Sequence, residues 1–175
     1  MDNLTEAVTR VRSGEAPAFQ TIVDATSARL VRLAARMLGS VVDAEDVVQE
    51  AYVKAYRALQ TGEFDGRANV STWLFRIVTN QAIDAMRSRA RRPKPTDTAD
   101  ESISDLASAE QQLALSELSE WMSELPADQR AALVLKAVEG MTSPEIAEIL
   151  ECSEGAVEQR LVRARAALRK RSEGQ

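Results

Sequence analysis

The sequence predicts an all-α protein of two small helical domains joined by an acidic linker, on three observations. Apolar residues recur at three- and four-residue spacing in successive segments, the period of a helix with one buried face. Glycines and small polar capping residues bracket those segments where helices stop and start. The stretch Arg92-Pro93-Lys94-Pro95-Thr96-Asp97-Thr98 sets two prolines among small polar residues, which ends a helix and opens a linker. The domains are therefore expected at 1–92 and 110–175, with a flexible acidic linker at 93–109.

Four helical segments are expected ahead of the linker, at about 3–13, 16–38, 44–60 and 70–92. Gly14, Gly39 and the loop from Thr61-Gly62 to Asn69 separate them, and Gly39 and Gly62 read as residues just past a helix C-terminus. The third segment, with Asp43 as its cap, places Val48, Tyr52, Ala55 and Leu59 on one stripe and turns Asp46, Gln49, Glu50, Lys54 and Arg57 away from it. Its outer face is polar and begins acidic. The fourth buries Trp73, Leu74, Ile77, Val78, Ala82 and Ile83 and leaves Arg76, Asn80, Asp84, Arg87 and Arg91 on another face. Spacing alone leaves two readings of that face, a nucleic-acid surface or a solvated basic stripe.

Beyond the linker, Leu125 to Arg171 reads as a compact helix-turn-helix. Thr142 caps a short helix, Glu145 sits at the reciprocal capping-box position, and Pro144 is tolerated in the first turn. The helix ends by about Leu150. Glu151-Cys152-Ser153 supplies a tight turn and a second cap, Ser153, for a long helix from Glu154 to about Arg171 in which Leu161, Ala164 and Leu168 form the core stripe. Two capped helices so joined match the element that lays its second helix in the DNA major groove.

Composition narrows the function. The chain has one cysteine and no histidine, so a Ser-His-Asp triad, a Cys-His dyad and a Cys/His zinc site are excluded within it, and no enzymatic role, cofactor or metal is expected. Cys152 reads as a small buried apolar residue rather than a redox sensor, because nothing basic adjoins it in sequence. No apolar run reaches the roughly 18 residues of a membrane span, and Met1-Asp2-Asn3 opens no signal peptide, so a cytoplasmic location without membrane insertion is expected. The net charge of −5 is strongly segregated. Residues 61–95 carry Arg67, Arg76, Arg87, Arg89, Arg91, Arg92 and Lys94 against Glu63, Asp65 and Asp84. Residues 96–129 carry nine acidic side chains and no Lys or Arg, and from Arg160 onward six basic residues face only Glu173. Two basic patches with an acidic spacer between them suggest two DNA contacts and a connector that DNA repels.

Four stretches in order, Asp43-Ala-Glu-Asp-Val-Val-Gln-Glu50, Ser71-Thr-Trp-Leu-Phe-Arg-Ile-Val-Thr-Asn-Gln-Ala-Ile-Asp84, Leu125-Pro-Ala-Asp-Gln-Arg-Ala-Ala-Leu, and Glu145-Ile-Ala-Glu-Ile-Leu followed by Glu154-Gly-Ala-Val, resemble the bacterial extracytoplasmic-function (group 4) sigma factors. The resemblance spans nearly the whole chain. It implies that 1–92 is a sigma-2-like domain and 110–175 a sigma-4-like domain, with no middle domain between. It also implies a cytoplasmic transcription initiation factor that binds core RNA polymerase at the β′ clamp and β subunits, recognises −10 and −35 promoter DNA, helps open the duplex, and answers to an anti-sigma factor.

Roles follow from the resemblance position by position. Asp46, Gln49 and Glu50 match the polymerase-binding motif, and a carboxylate-rich face suits a basic partner. Phe64, Arg67 and Asn80 match the loop and helix that capture an unpaired −10 base, while Arg76, Arg87 and Arg91 would meet backbone phosphates. Glu158, Gln159, Val162 and Arg163 fall at the family's −35 base-reading positions, with Arg160 and Arg165 as phosphate contacts. Glu158 departs from a family position that is often basic, and Ala156 from one that is usually threonine. Glutamate can accept from a cytosine amino group, so Glu158 is expected to shift sequence preference. Two other classes compete: a regulator whose N-terminal half senses a signal, and a helical adaptor that binds only protein. The first finds no βα alternation or glycine-rich phosphate loop in 1–92, and the second leaves two basic clusters unexplained.

Overall fold

The computed structural model describes residues 3–91 and 109–174, with side chains described in the second stretch from Ser116 onward. Every regular element among the described residues is helical. The helices are α1 (Asn3–Arg12), α2 (Phe19–Leu38), α3 (Val41–Thr61), α4 (Val70–Arg91), α5 (Ala109–Glu124), α6 (Ala127–Ala137), α7 (Ser143–Ile149) and α8 (Glu154–Glu173). Apart from Ala109, which opens α5, the expected linker lies outside the described residues.

The expected stripes are buried where packing demands it. Ile22, Thr26, Leu30, Leu33 and Met37 form the inward face of α2, and Ala44, Val48, Ala51, Tyr52, Ala55 and Leu59 that of α3. Each fully buried aliphatic side chain contributes about 1.5–3 kcal/mol of transfer free energy. The one polar pair at this contact is satisfied internally: Thr26 donates to the Ile22 carbonyl at 2.7 Å, and its hydroxyl lies 2.7 Å from that of Tyr52. Burial raises the Tyr52 pKa above its usual value. On α4, Trp73, Leu74, Val78, Ala82 and Ile83 are buried as the spacing predicts, while Ile77 is half-buried.

Two boundaries differ from expectation for local reasons. Residues 16–38 are not one helix: Ala16–Ala18 forms a 3-10 turn around Pro17, and α2 begins at Phe19. Helix α3 begins at Val41, not after Asp43, because Ser40 is its cap and accepts from the Asp43 N–H at 3.3 Å. Asp43 therefore sits in the first turn. Gly39 and Gly62 end α2 and α3 in the left-handed region, at φ 74 and 78, as their glycines allow.

Helices α1 to α4 pack on one another, as do α6 to α8. The two groups also meet, α6 lying on α2 and α4 and α7 on α4, so the buried side chains form one continuous cluster from Ala7 to Leu161. This contact decides what the surface of α4 can reach.

Candidate nucleic-acid interface

The helix-turn-helix is built from its caps. The Glu145 carboxylate accepts from both the Thr142 N–H and the Thr142 hydroxyl at 2.7 Å, which holds its pKa below the usual carboxylate range. Helix α7 ends at Leu150, and the Cys152 N–H reaches back to the Ala147 carbonyl at 3.0 Å. That six-residue closure needs a left-handed residue between, and the position is held by Glu151 at φ 49 rather than by glycine. Ser153 then caps α8 by accepting from the Ala156 N–H at 3.2 Å.

On α8, Val157, Leu161 and Ala164 face the core while Leu168 is half-buried. Gln159, Val162, Arg163 and Arg165 are exposed, Val162 at 63%. Glu158 is also on the exposed side but accepts from the Ser143 hydroxyl, so its carboxylate ties α8 to the start of α7. Arg160 flanks the buried stripe and turns inward, Nη1 lying 3.2 Å from the Cys152 sulfur and Nη2 3.9 Å from Asp128. Cys152 is half-buried rather than buried, and the fold gives it the cationic neighbour that its sequence surroundings lack.

On the N-terminal group, Asn69 caps α4 by accepting from the Ser71 N–H at 2.8 Å. The loop ahead of it carries Phe64 and Arg67. The Phe64 ring is buried against Trp73, centroids 4.5 Å apart and planes at 37°, while Arg67 is exposed and pairs with Asp65 at 3.2 Å. Arg76, Asn80, Arg87 and Arg91 lie along one face of α4. Arg91 is exposed and Asn80 half-buried. Arg76 points at Glu151 across 3.6 Å, and Arg87 donates to Asp128 at 2.8 Å.

A third surface lies on α3, where Asp46, Gln49 and Glu50 are exposed and line a shallow groove with Val53, Lys54 and Arg57. Glu50 also accepts from Gln81 of α4 at 3.4 Å. The structure thus gathers the sequence-predicted residues into three places: the α3 face, the α4 face with its preceding loop, and the start of α8. Sequence reasoning missed the acidic partners Asp128, Glu139 and Glu151, and Arg130, which is only 5% exposed. No local signal marks them, since each acts across the contact between the two helix groups.

A helix-turn-helix with a basic second helix is the fold of a DNA-binding protein, and here it is set beside a four-helix group that carries its own arginine face. Residues 22–92 match the family described as Sigma-70 region 2, and residues 115–168 match Sigma-70, region 4. The ECF RNA polymerase sigma factor SigW of Bacillus subtilis is 34% identical over 95% of this chain and 95% of its own. CnrH, solved in complex with the cytosolic domain of CnrY, superposes with a TM-score of 0.71 at 29% identity over 99% of each chain. The sigma factor RpoE of Bartonella quintana, solved with the anti-sigma factor NepR, gives 0.66 at 26% identity over 87% of this chain and 94% of that one. The chain belongs to the extracytoplasmic-function sigma factors, which are transcription initiation factors.

Proposed function

We propose that this protein is an alternative promoter-specificity subunit that docks on core RNA polymerase through α3, reads the −10 element with the loop before α4 and with α4 itself, and reads the −35 element with α8. The observation that carries this reading is the coexistence, in one chain with the family match, of an exposed carboxylate face and two arginine-bearing helices. Asp46, Gln49 and Glu50 offer acceptors to a basic partner at the β′ clamp. Asn80 can pair with the edge of an unstacked base, while Arg67, Arg76, Arg87 and Arg91 hold the backbone. Phe64, packed on Trp73, anchors the loop that carries Arg67 to the start of α4. On α8, Gln159, Val162 and Arg163 present an amide, a methyl surface and a guanidinium to base edges, Glu158 keeps one oxygen for a cytosine amino group, and Arg160 and Arg165 serve phosphates.

Opening the duplex this way makes and breaks no covalent bond, so the protein works as a binding factor rather than an enzyme. Binding to the flipped, single-stranded state offsets an unstacking cost of a few kcal/mol per base. The work is cytoplasmic, where polymerase and promoter are. Control by an anti-sigma factor is supported by the likeness to RpoE, whose solved form holds one.

In-vitro transcription with core polymerase on a randomised promoter library tests the whole reading. Transcripts that depend on the protein, and that select two short conserved blocks, are expected. Output no greater than that of core polymerase alone overturns it.

A further inference from the structure

Helix α8 is longer than the groove it is proposed to enter. Its 20 residues run about 30 Å, whereas the major groove is about 12 Å wide. The proposed base readers, Glu158 to Arg163, fill only about two turns near its start. The rest is not spent on the core: from Arg165 to Arg171 every residue but the half-buried Leu168 is exposed.

The cations of this second half repeat the face of the first. Arg169 follows Val162 by seven residues and Lys170 follows Arg163 by seven, so each stands below a proposed base reader about two turns on. Among the described residues neither makes an ion pair, not even with Glu173 on the next turn, whereas Arg171 beside them turns away to Glu124 of α5. We propose that Arg169 and Lys170 form a phosphate clamp: where α8 leaves the major groove they hold the DNA backbone that borders the −35 element. This rests on the reading of α8 as the −35 helix.

Exposed cations attract any polyanion, and their placement selects DNA. A recognition helix lays its N-terminal residues on base edges and emerges toward its C-terminus. Arg169 and Lys170 lie about 10 Å along the axis from Val162 and Arg163, past the groove's half-width of about 6 Å, so the face that meets bases at its start meets bordering phosphates at its end. The clamp is also aimed, because Leu168 packs inward and Arg171 ties the last turn to α5. Glu158 gives it a purpose. That carboxylate lies on the side turned to DNA, where phosphates repel it, and two cations outside the base-reading stretch restore attraction without adding base preference.

Anisotropy of a fluorescein-labelled promoter duplex taken from the library selection, titrated across salt with holoenzyme built from the full chain and core polymerase, tests the proposal. Each phosphate contact contributes about 0.9 to the slope of log K against log salt, so Arg169→Gln with Lys170→Gln should lower the slope by about 1.8. Raising salt from 50 to 200 mM should then cost the variant about tenfold less affinity than it costs the parent. The −35 preference should be unchanged, and ethylation interference should vanish at phosphates flanking the −35 block on one side alone. Arg169→Lys with Lys170→Arg should bind like the parent, since phosphates accept either cation. Arg32→Gln with Arg36→Gln, exposed on α2, makes the same change in net charge and should leave the slope nearly as it was.

A slope change equalled by this control, or a swapped pair that fails to restore binding, would overturn the clamp. So would an unchanged slope with a lower melting temperature, which would leave the two cations serving the helix dipole, or with weaker capture of core polymerase, which would assign them to a protein partner. Arg163→Ala separates the clamp from the reading beneath it. If that variant loses −35 preference while the glutamine pair changes nothing, α8 reads the element without a clamp; if it keeps the preference, the reading of α8 fails and the clamp with it.

Discussion

Two of the long arginine-bearing helices, α4 and α8, differ in what their cations touch. On α4, Arg76 and Arg87 are paired with acidic residues of the opposite helix group, and Arg89 binds Asp43. On α8, Arg163 and Arg165 are exposed beside Val162 and Gln159, while Arg160 is drawn inward and Arg171, at the far end, pairs with Glu124 of α5. Of two basic helices, one thus presents a largely occupied surface and the other a more open one. The difference teaches that a charge count locates a candidate DNA surface, while the fold decides whether that surface is available.

The largest effect is expected upstream of both helices. Reversing Glu50 to Lys on the α3 face places a cation against a basic docking site, and like-charge juxtaposition across an interface costs several kcal/mol. Pull-down of core polymerase should therefore fail. The fold should not, because an exposed substitution changes stability by about 0.5 kcal/mol or less. If Glu50→Lys still captured core polymerase at parental affinity, the α3 face would not be the docking site.

Next in size is Arg130, buried beside the occupied helix. Burial, with help from Arg89, lowers its pKa from the usual guanidinium range to about 10. The group is therefore still protonated at neutral pH, where its buried charge opposes folding. Because the folded pKa lies below the unfolded one, the penalty is complete below about pH 10 and fades as pH rises above it toward the unfolded value. Replacing a buried unpaired charge with an apolar side chain of similar length should stabilise the chain, by about 2 kcal/mol for Arg130→Met. Urea unfolding measures this, and the gain should narrow as pH passes 10. A destabilised Arg130→Met would mean that the guanidinium is satisfied in solution, and the contrast between α4 and α8 would lose its energetic basis.

What the sequence made legible was local. Thr142 with Glu145, Ser153, Gly39 and Gly62 act within one turn of the chain, so residue type and position sufficed to place them. The α3 stripe of Val48, Tyr52, Ala55 and Leu59 was equally plain, since burial follows a fixed period. Ser40 is masked as a cap by Asp43, itself a residue type suited to capping, three residues on. The occupied state of α4 had no such signal: Arg87 and Asp128 are 41 residues apart, and nothing periodic joins them. Cys152 shows the same limit. Its neighbours in sequence offer no cation, yet Arg160, two turns along α8, brings one to the sulfur. Of the candidate site, the residues on each face could be read, and their partners could not.

A smaller effect separates the helices by the step they serve. Asn80→Ala on α4 removes an amide proposed to meet a base only after that base leaves the stack, a loss of about 1.5 kcal/mol, the size of one hydrogen bond to a base. Permanganate footprinting should then show impaired opening on a duplex promoter and near-normal occupancy of the −35 element. Equal loss at both elements would make Asn80 a structural residue of α4.

The smallest effect falls on α8. One Glu158 oxygen already accepts from the Ser143 hydroxyl, which leaves the other to meet DNA. Glutamine keeps an oxygen for Ser143 but puts an amino group where the second acceptor was, so Glu158→Gln should relax preference at a single −35 base pair by about 1 kcal/mol, the lower end for one base contact. Ser143→Ala removes the tie to α7 while leaving both carboxylate oxygens, and should keep the preference while lowering the melting temperature slightly. Promoter-library selection with the two variants tells base reading from helix positioning. An unchanged −35 preference in Glu158→Gln, with both variants losing about 0.3–1 kcal/mol of stability, would reduce Glu158 to a residue that complements the positive N-terminal end of α7.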